Sequence, residues 1–228
     1  YLILFFILNK KYKYKIKPNL KSEALQKLSP FIYFMAITSI VGSISEQISV
    51  FFSNIFFTNY DTGLLSSANR VSMVFIVIAG SIGTVLVPRA SRYTDIKNIS
   101  VFAKKSFILG LVLFSLCLPV IIFPKIVILL TIGSEYLQAE KLLIIFTISS
   151  ALVVLRASFS GVFFSLNKGQ FFVYISLLNL ILEVPATFIF ANMFGVIGVA
   201  YAKLFLSLIF LAYSVLYFFL KIKTDEKK

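Results

Sequence analysis

Residues 30–88 read PFIYFMAITSIVGSISEQISVFFSNIFFTNYDTGLLSSANRVSMVFIVIAGSIGTVLVP, and this stretch decides the fold. Two long apolar runs, at 31–57 and 64–88, flank a short polar break at 58–63. Each run exceeds the ~20 residues that a helix needs to cross a bilayer. The stretch therefore predicts a membrane hairpin of two helices.

The first arm of this hairpin carries a carboxylate, Glu46, close to its middle. A charged side chain at that depth costs about 2.5 kcal/mol or more on insertion scales, so a compensating partner or water is expected. The second arm carries Asn69 and Arg70, and Arg70 is the nearest candidate partner in sequence.

The composition extends this prediction to the whole chain. Of the 228 residues, 59% are hydrophobic and 14% are charged, which is too little charge to cover the surface of a water-soluble fold. Continuous apolar runs, rather than short alternating segments, favour helices over a membrane barrel. The predicted fold class is all-α integral membrane: a six-transmembrane-helix bundle plus the tail of a preceding helix.

Six apolar segments define the predicted domain organisation. They lie at 31–57, 64–88, 106–124, 138–163, 171–192 and 196–220. Residues 1–8 are too short to cross a membrane and are interpreted as the end of a preceding transmembrane helix, so we expect the C-terminal part of a longer protein. Residues 9–29 are predicted to form a basic cytoplasmic loop whose back half is a short interfacial helix ending at Pro30. The bundle then occupies 30–220, and 221–228 form a cytoplasmic tail.

The basic residues of the loops alternate between the two sides of this bundle. Seventeen Lys and Arg residues lie in 9–29, 89–105, 164–170 and 221–228, whereas the loops of the other side contain one, Lys125. The positive-inside rule places the first set in the cytoplasm. This explains the net charge of +13 without a nucleic-acid partner. It predicts a multi-pass membrane protein with a cytoplasmic C-terminus.

Polar side chains at membrane depth indicate faces that turn inward or line a water-filled cavity. On the first helix they occupy one half of the helical wheel, with Ser45 as the single exception: Ser39, Gly42, Ser43, Glu46, Gln47, Ser49, Ser53 and Asn54. The fifth helix has a narrower stripe beside Pro185: Ser176, Asn179, Glu183 and Thr187. Arg156 and Lys203 lie on polar faces of the fourth and sixth helices, whereas the third helix has little polarity and is expected to be peripheral.

The predicted depths of the charged residues differ. Glu46 and Glu183 lie near the midpoints of their helices, and a short carboxylate cannot reach the headgroups from there. Arg70, Arg156 and Lys203 lie about five or six residues off centre, or roughly 8–9 Å, and their long side chains can reach the headgroups. A cavity role is favoured for the two glutamates, with a structural ion pair or a permanently protonated carboxyl as alternatives. For the three cations, snorkelling or structural pairing stands beside a substrate-facing role.

Several short motifs follow one another along the chain. They are Asp61-Thr62-Gly63-Leu64-Leu65-Ser66-Ser67-Ala68-Asn69-Arg70, Val87-Pro88-Arg89, Ile132-Gly133-Ser134-Glu135-Tyr136-Leu137-Gln138-Ala139, Asn167-Lys168-Gly169 and Phe194-Gly195-Val196-Ile197-Gly198-Val199-Ala200. Their order and topology resemble the C-terminal half of bacterial polysaccharide (O-antigen type) flippases, in the multidrug/oligosaccharidyl-lipid/polysaccharide exporter superfamily. The chain departs from that pattern with Glu46 where Asp is expected, and with Leu64-Leu65 where an aromatic residue is more usual.

The resemblance implies half of a transporter, in which two six-helix bundles flank a central cavity and an N-terminal half of the same protein supplies the first. Its cargo would be an undecaprenyl-pyrophosphate-linked oligosaccharide, flipped across the bacterial plasma (inner) membrane by alternating access for surface polysaccharide and lipopolysaccharide biosynthesis. The expected substrate-binding residues are Arg70, Arg156, Lys203, Asn69 and Gln47. Glu46 and Glu183 would couple transport to an ion, and no cofactor is expected.

Other functions remain open. A multidrug or cation antiporter of the same superfamily would prefer an acidic, aromatic cavity, whereas the cavity candidates are three basic residues against two acidic ones. A glycan polymerase or transferase would need a large outer loop with catalytic groups, but the longest outer loop, 125–137, has Glu135 as its only carboxylate. A scaffold without transport would leave the polar half of the first helix unexplained. The chain has no histidine, metal motif or phosphate loop, so we predict that it is not an enzyme.

Overall fold

The computed structural model describes residues 23–90, 96–159 and 169–225, and every secondary-structure element within them is helical. In chain order the helices are α1 (Glu23–Phe56), α2 (Asn59–Ala90), α3 (Ile96–Ser115), α4 (Leu118–Ile122), α5 (Pro124–Thr131), a 3-10 helix (Ser134–Ala139), α6 (Glu140–Ala157), α7 (Gly169–Phe194) and α8 (Val196–Asp225). Six ranges are long and apolar enough to cross a membrane: Ala36–Phe56, Asn59–Leu86, Asn98–Ile122, Ser134–Ala157, Val173–Phe194 and Val196–Tyr217. The predicted all-α membrane class is confirmed.

Helix boundaries differ from the predicted ones at several places. The third segment, predicted at 106–124, is split into α3 (Ile96–Ser115) and α4 (Leu118–Ile122), and α8 continues to Asp225 instead of residue 220. α1 begins at Glu23 and continues through Pro30, where the sequence predicts the end of a separate helix. α2 begins at Asn59 instead of residue 64, because the polar break adds a full turn to this helix rather than forming a loop. α5 occupies the first half of the predicted loop 125–137.

Some predicted features lie outside the described residues. These are the helix tail at 1–8, the basic loop up to residue 22, Arg92, the Asn167-Lys168 turn and the last three residues of the C-terminal tail.

α6 is the central helix of the bundle. It packs against α2 on one side, α8 on another and α3 on a third, while α7 joins α1 to α8. Of the Ser134–Ala157 span 56% is buried, against at most 33% for each of the other five. The third span, Asn98–Ile122, is 17% buried, as little as any. Apolar side chains cover the outer surface of the bundle, as a lipid environment requires.

Successive spans alternate in direction, so the links between them fall at two ends of the bundle. The link at 57–58, the segment 123–133 between the third and fourth spans, and Gly195 lie at the same end, which is called the 58/195 end below. At this end a buried cluster joins the beginnings of α2, α6 and α8. Its members include Leu65, Ile128, Leu143, Phe146 and Val199.

A tight turn joins α7 to α8 at this end. Gly195 has a φ of 64°, in the left-handed region that glycine adopts without the cost a side chain would bring. Three residues later, a Cβ atom on Gly198 would overlap the backbone carbonyl of Phe190. The absence of a side chain at Gly198 therefore lets α8 start in direct contact with the last turns of α7.

Candidate functional site

A charged cavity lies inside the bundle, between α1, α2, α6, α7 and α8. Its volume is about 160 Å³, enough for several water molecules. Four ionisable side chains line it: Glu46, Arg156, Glu183 and Lys203. The remaining lining residues are polar or apolar: Gly42, Ser45, Ile76, Val153, Asn179, Leu206, Ser207 and Phe210. The cavity thus gathers four of the eleven charged residues that lie in the six candidate spans.

Glu183 is held on the α1 side of the cavity. Its side chain is 3% exposed, and its Oε2 accepts a hydrogen bond from the Ser45 hydroxyl. Asn179 Nδ2 donates to Ser45 Oγ at 3.1 Å. Asn179 and Glu183 are one helical turn apart, so both project from the same face of α7 toward α1. The hydrogen-bond chain Asn179–Ser45–Glu183 therefore fastens α1 to α7.

The backbone of α7 is altered immediately after Glu183. Pro185 lies inside the helix and has no N–H group, so the carbonyl of Ile181 loses its usual helical donor. In membrane proteins such freed carbonyls are tolerated where a helix borders a cavity or packs against protein. Pro185 thus lies two residues after Glu183, at the end of the segment of α7 that lines the cavity.

Lys203 is held on the α2 side of the cavity. Its Nζ donates a hydrogen bond to Oδ1 of Asn69 at 3.1 Å and lies 5.7 Å from the centroid of the Phe146 ring. Asn69 is 3% exposed and is absent from the cavity lining. The ammonium group thus has an amide oxygen and a ring face as partners, both of which favour a cation.

Arg156 occupies the last turn of α6, where the helix dipole favours a positive charge. Its Cζ lies 5.9 Å from the centroid of the Phe210 ring on α8. Hydrogen bonds join the same two helices nearby: Ser149 Oγ lies 2.7 Å from Ser207 Oγ and donates to the Lys203 carbonyl at 3.3 Å. Within α8, Ser207 Oγ also donates to the Lys203 carbonyl at 2.8 Å. Packing between α6 and α8 therefore fixes the positions of both cations.

The four charges of the cavity do not form close ion pairs. Within the described ranges the only ion pair shorter than 4.0 Å joins Lys125 to Glu140, far along the chain from the cavity residues. The same ranges contain no group of three Asp, Glu, Cys or His side chains able to hold a metal ion. Neither carboxylate is paired with a cation of the cavity, so all four charged groups can interact with water, a proton or a substrate group.

The structure brings together four of the seven predicted site residues in this cavity. Asn69 lies behind it as the acceptor for Lys203. Gln47 is exposed on another face of α1, in a shallow groove with Ser43, Ile44, Ile48 and Phe51. Arg70 is exposed on α2 and does not line the cavity. The expectation that Arg70 is the nearest partner of Glu46 is therefore replaced: Glu46 shares its cavity with Arg156 and Lys203.

The depth of Arg70 also differs from the prediction. The candidate span that contains it, assigned by length and composition, runs from Asn59 to Leu86, so Arg70 lies about 4 Å from its middle instead of the predicted 8–9 Å. Among the described residues no carboxylate lies within 4.0 Å of it. An exposed, unpaired guanidinium at this depth must face water or an anion rather than hydrocarbon.

Sequence reasoning missed Ser45, the residue that bridges Asn179 to Glu183. The helical wheel sets it apart from the polar half of α1, yet it is 8% exposed, whereas the stripe members Ser39, Ser43, Gln47 and Asn54 are exposed. Ser45, Ser49 and Ser53 recur every fourth residue and are all buried, so a second, narrower polar stripe exists. That repeat of small hydroxyl residues was the available signal.

The arrangement permits two kinds of chemistry in one enclosure. Lys203 and Arg156 can bind an anion, and Glu46 and Glu183 can bind a proton or a cation. Hydrogen bonds connect both sets to helix interfaces, so occupancy of the cavity and helix packing are linked. No protein-family model, curated protein or solved structure matches the chain.

Proposed function

We propose that this chain forms the C-terminal half of a transporter that flips undecaprenyl-pyrophosphate-linked oligosaccharide across the bacterial plasma membrane by alternating access. Arg70 carries the proposal. It is exposed near the middle of a membrane span with no carboxylate among its described neighbours. A pyrophosphate is the kind of group that such an arginine binds well, because a guanidinium offers parallel hydrogen bonds to phosphate oxygens.

The charged cavity supports a second part of the proposal, which is that transport is coupled to the uptake and release of a proton. Glu183 faces away from bulk water and hydrogen-bonds to Ser45 at the α1–α7 contact. Taking up or releasing a proton there changes the hydrogen bonding between two helices, which is what alternating access needs. Glu46, in the same cavity, is the second carboxylate of this proposed coupling site.

The exposed polar residues of α1 support a partner on that side. Ser43, Gln47 and Asn54 are exposed although all three lie within the Ala36–Phe56 span. Polar side chains at membrane depth face protein or water, so this face requires a polar neighbour. The N-terminal half of the same transporter, across a central water-filled cavity, would provide it. The loop charges support a cytoplasmic C-terminus for this half.

The proposal is tested by surface-glycan complementation in a bacterial strain that lacks its own flippase. Arg70→Ala is expected to abolish surface glycan and to leave lipid-linked precursor accumulating in the cell, and Arg70→Lys is expected to retain part of the activity. Arg89→Ala is the matched control, since Arg89 is an exposed arginine in the last turn of the same helix. Full surface glycan from Arg70→Ala at normal expression would overturn the proposal.

A multidrug or cation antiporter is the second candidate, and the charge balance of the cavity favours keeping it. With Arg70 outside, the cavity holds two cations and two carboxylates. Efflux of a cationic dye distinguishes the two functions. An antiporter would export the dye and lose this export in Glu46→Gln and Glu183→Gln. A flippase would export no dye, with or without these substitutions.

A further inference from the structure

A second cavity opens on the surface of the bundle, at the 58/195 end. It is a groove of about 390 Å³ between the first turns of α6 and the α7–α8 turn. Its lining residues are Lys141, Ile144, Ile145, Phe194, Ile197 and Tyr201. None of them lines the charged cavity, so the groove is a separate feature of the molecule.

Lys141 is the only charged residue of this groove, and its charge is not compensated by a described neighbour. The adjacent carboxylate, Glu140, is engaged by Lys125, with 3.7 Å between Lys125 Nζ and Glu140 Oε2. No hydrogen bond or ion pair joins Lys141 to another residue of the described ranges. The groove therefore presents an exposed ammonium group above an apolar floor.

The floor and walls of the groove are suited to a hydrocarbon chain. Ile144 and Ile145 continue down α6 from Lys141, and Ile197 faces them from α8. Two aromatic residues form the rim, since the Phe194 and Tyr201 rings meet edge to face with 5.8 Å between centroids. Lys and Tyr next to aromatic rings near a helix end are typical of the interface between hydrocarbon and headgroups.

We infer that this groove binds an anionic phospholipid of the leaflet at the 58/195 end. Its phosphate lies against Lys141, and one acyl chain lies between Ile144 and Ile197. Loop charges predict that this is the outer leaflet. The inference does not depend on the cargo of the transporter, because Lys141 and Tyr201 belong neither to the charged cavity nor to the face that carries Arg70. An anionic headgroup is preferred over a zwitterionic one because its net negative charge has no internal cation to compete with Lys141.

Tryptophan fluorescence provides a direct test, because the chain contains no tryptophan. Tyr201→Trp places the only tryptophan of these 228 residues in the groove, any tryptophan outside them being replaced by phenylalanine, and brominated lipids quench it on contact. In vesicles of mixed lipid, brominated phosphatidylglycerol is expected to bind at the reporter about fivefold more strongly than brominated phosphatidylcholine, the effect of one lysine near a lipid phosphate. Adding Lys141→Gln should reduce this preference to none.

Tyr60→Trp supplies the matched control. Tyr60 is an exposed tyrosine at the same end of the bundle, on α2 and outside the groove. A reporter there is expected to be quenched equally by the two lipids. Four results would overturn the inference: equal quenching of Trp at position 201, no quenching by either lipid because protein covers the groove, a preference that survives Lys141→Gln, or the same preference at position 60.

Discussion

The Ser45 hydroxyl of α1 donates a hydrogen bond to Oε2 of Glu183 on α7 and accepts one from Asn179 Nδ2 at 3.1 Å. Glu183 is 3% exposed, so the serine replaces part of the hydration that this carboxylate has lost. One hydroxyl group thereby links a buried carboxylate to the contact between two membrane-spanning helices. Disturbing either side of this link is expected to affect the other.

Replacing Ser45 is the direct way to test the link. Ser45→Ala removes the donor to Glu183 and the acceptor for Asn179, and it should lower the free energy of unfolding by about 1 kcal/mol. Thermal unfolding in detergent measures the change. Ser45→Thr keeps the hydroxyl and is expected to stay closer to the unsubstituted protein. Ser43→Ala is the matched control, because Ser43 is exposed and bonds only to the backbone of its own helix. Equal unfolding curves for Ser45→Ala and Ser43→Ala would contradict the prediction.

The contact between Asn69 and Lys203 is tested by a double-mutant cycle. Asn69→Ala and Lys203→Met each remove one partner of the 3.1 Å hydrogen bond that joins α2 to α8. Contacting residues show interaction energies of about 0.5–3 kcal/mol in such cycles, and this pair is expected to fall in that range. Unfolding free energies of the four proteins in detergent give the value.

A parallel cycle provides the control for that measurement. Arg70 is the sequence neighbour of Asn69 but is exposed and makes no described contact with Lys203. Arg70→Ala and Lys203→Met should therefore be additive within about 0.3–0.5 kcal/mol. An interaction energy for Asn69 and Lys203 as small as that of the control pair would show that the hydrogen bond does not contribute to stability.

Gly198 is predicted to be intolerant of a methyl group. A Cβ there would overlap the carbonyl of Phe190, a backbone atom that cannot move without displacing α7. Overpacking of this kind costs about 1–3 kcal/mol. Gly42→Ala and Gly80→Ala are suitable controls, because a Cβ at either position has no neighbour within 4 Å. Thermal unfolding should place Gly198→Ala below both controls, and a midpoint as high as theirs would refute the close α7–α8 packing.

Parts of this organisation follow from the sequence for simple physical reasons. Long apolar runs dictate helices in a membrane, because no other continuous segment satisfies its own backbone groups there. Glu183 and Lys203 are conspicuous as charged residues within such runs, and both lie in the cavity. The role of Ser45 could not be predicted in this way, because a helical wheel identifies a single average polar face on a helix. α1 packs against both α7 and α2, so it has a second, buried face, and Ser45 lies on that face.

Arg70 illustrates a different limit of sequence reasoning. Its depth depends on where its helix begins, and the polar residues at 58–63 read as a loop. In the structure Thr58 and Asp61 cap the helix instead: the Asp61 N–H donates to Thr58 Oγ1 at 3.2 Å, and the Thr58 hydroxyl donates to Asp61 at 2.7 Å. With the Thr58 hydroxyl satisfying one free N–H of the first turn, α2 begins at Asn59, and Arg70 lies near the middle of the span. Polar residues in a helical cap and in a loop look alike in sequence.

Replacing either glutamate of the cavity is predicted to impair transport without lowering the stability of the protein. Glu46→Gln and Glu183→Gln keep the shape of each side chain, and a glutamine at 183 still offers an oxygen to Ser45, so both proteins should fold. The substituted position can no longer exchange a proton, and surface glycan should fall at least about tenfold for one of the two variants if the cavity couples transport to protons. Glu140→Gln is the control, since Glu140 pairs with Lys125 at a solvent-accessible position outside the cavity. Full glycan from both cavity variants at normal expression would exclude the proton role while leaving anion binding at Arg70 untouched, so the two halves of the proposed mechanism can be separated.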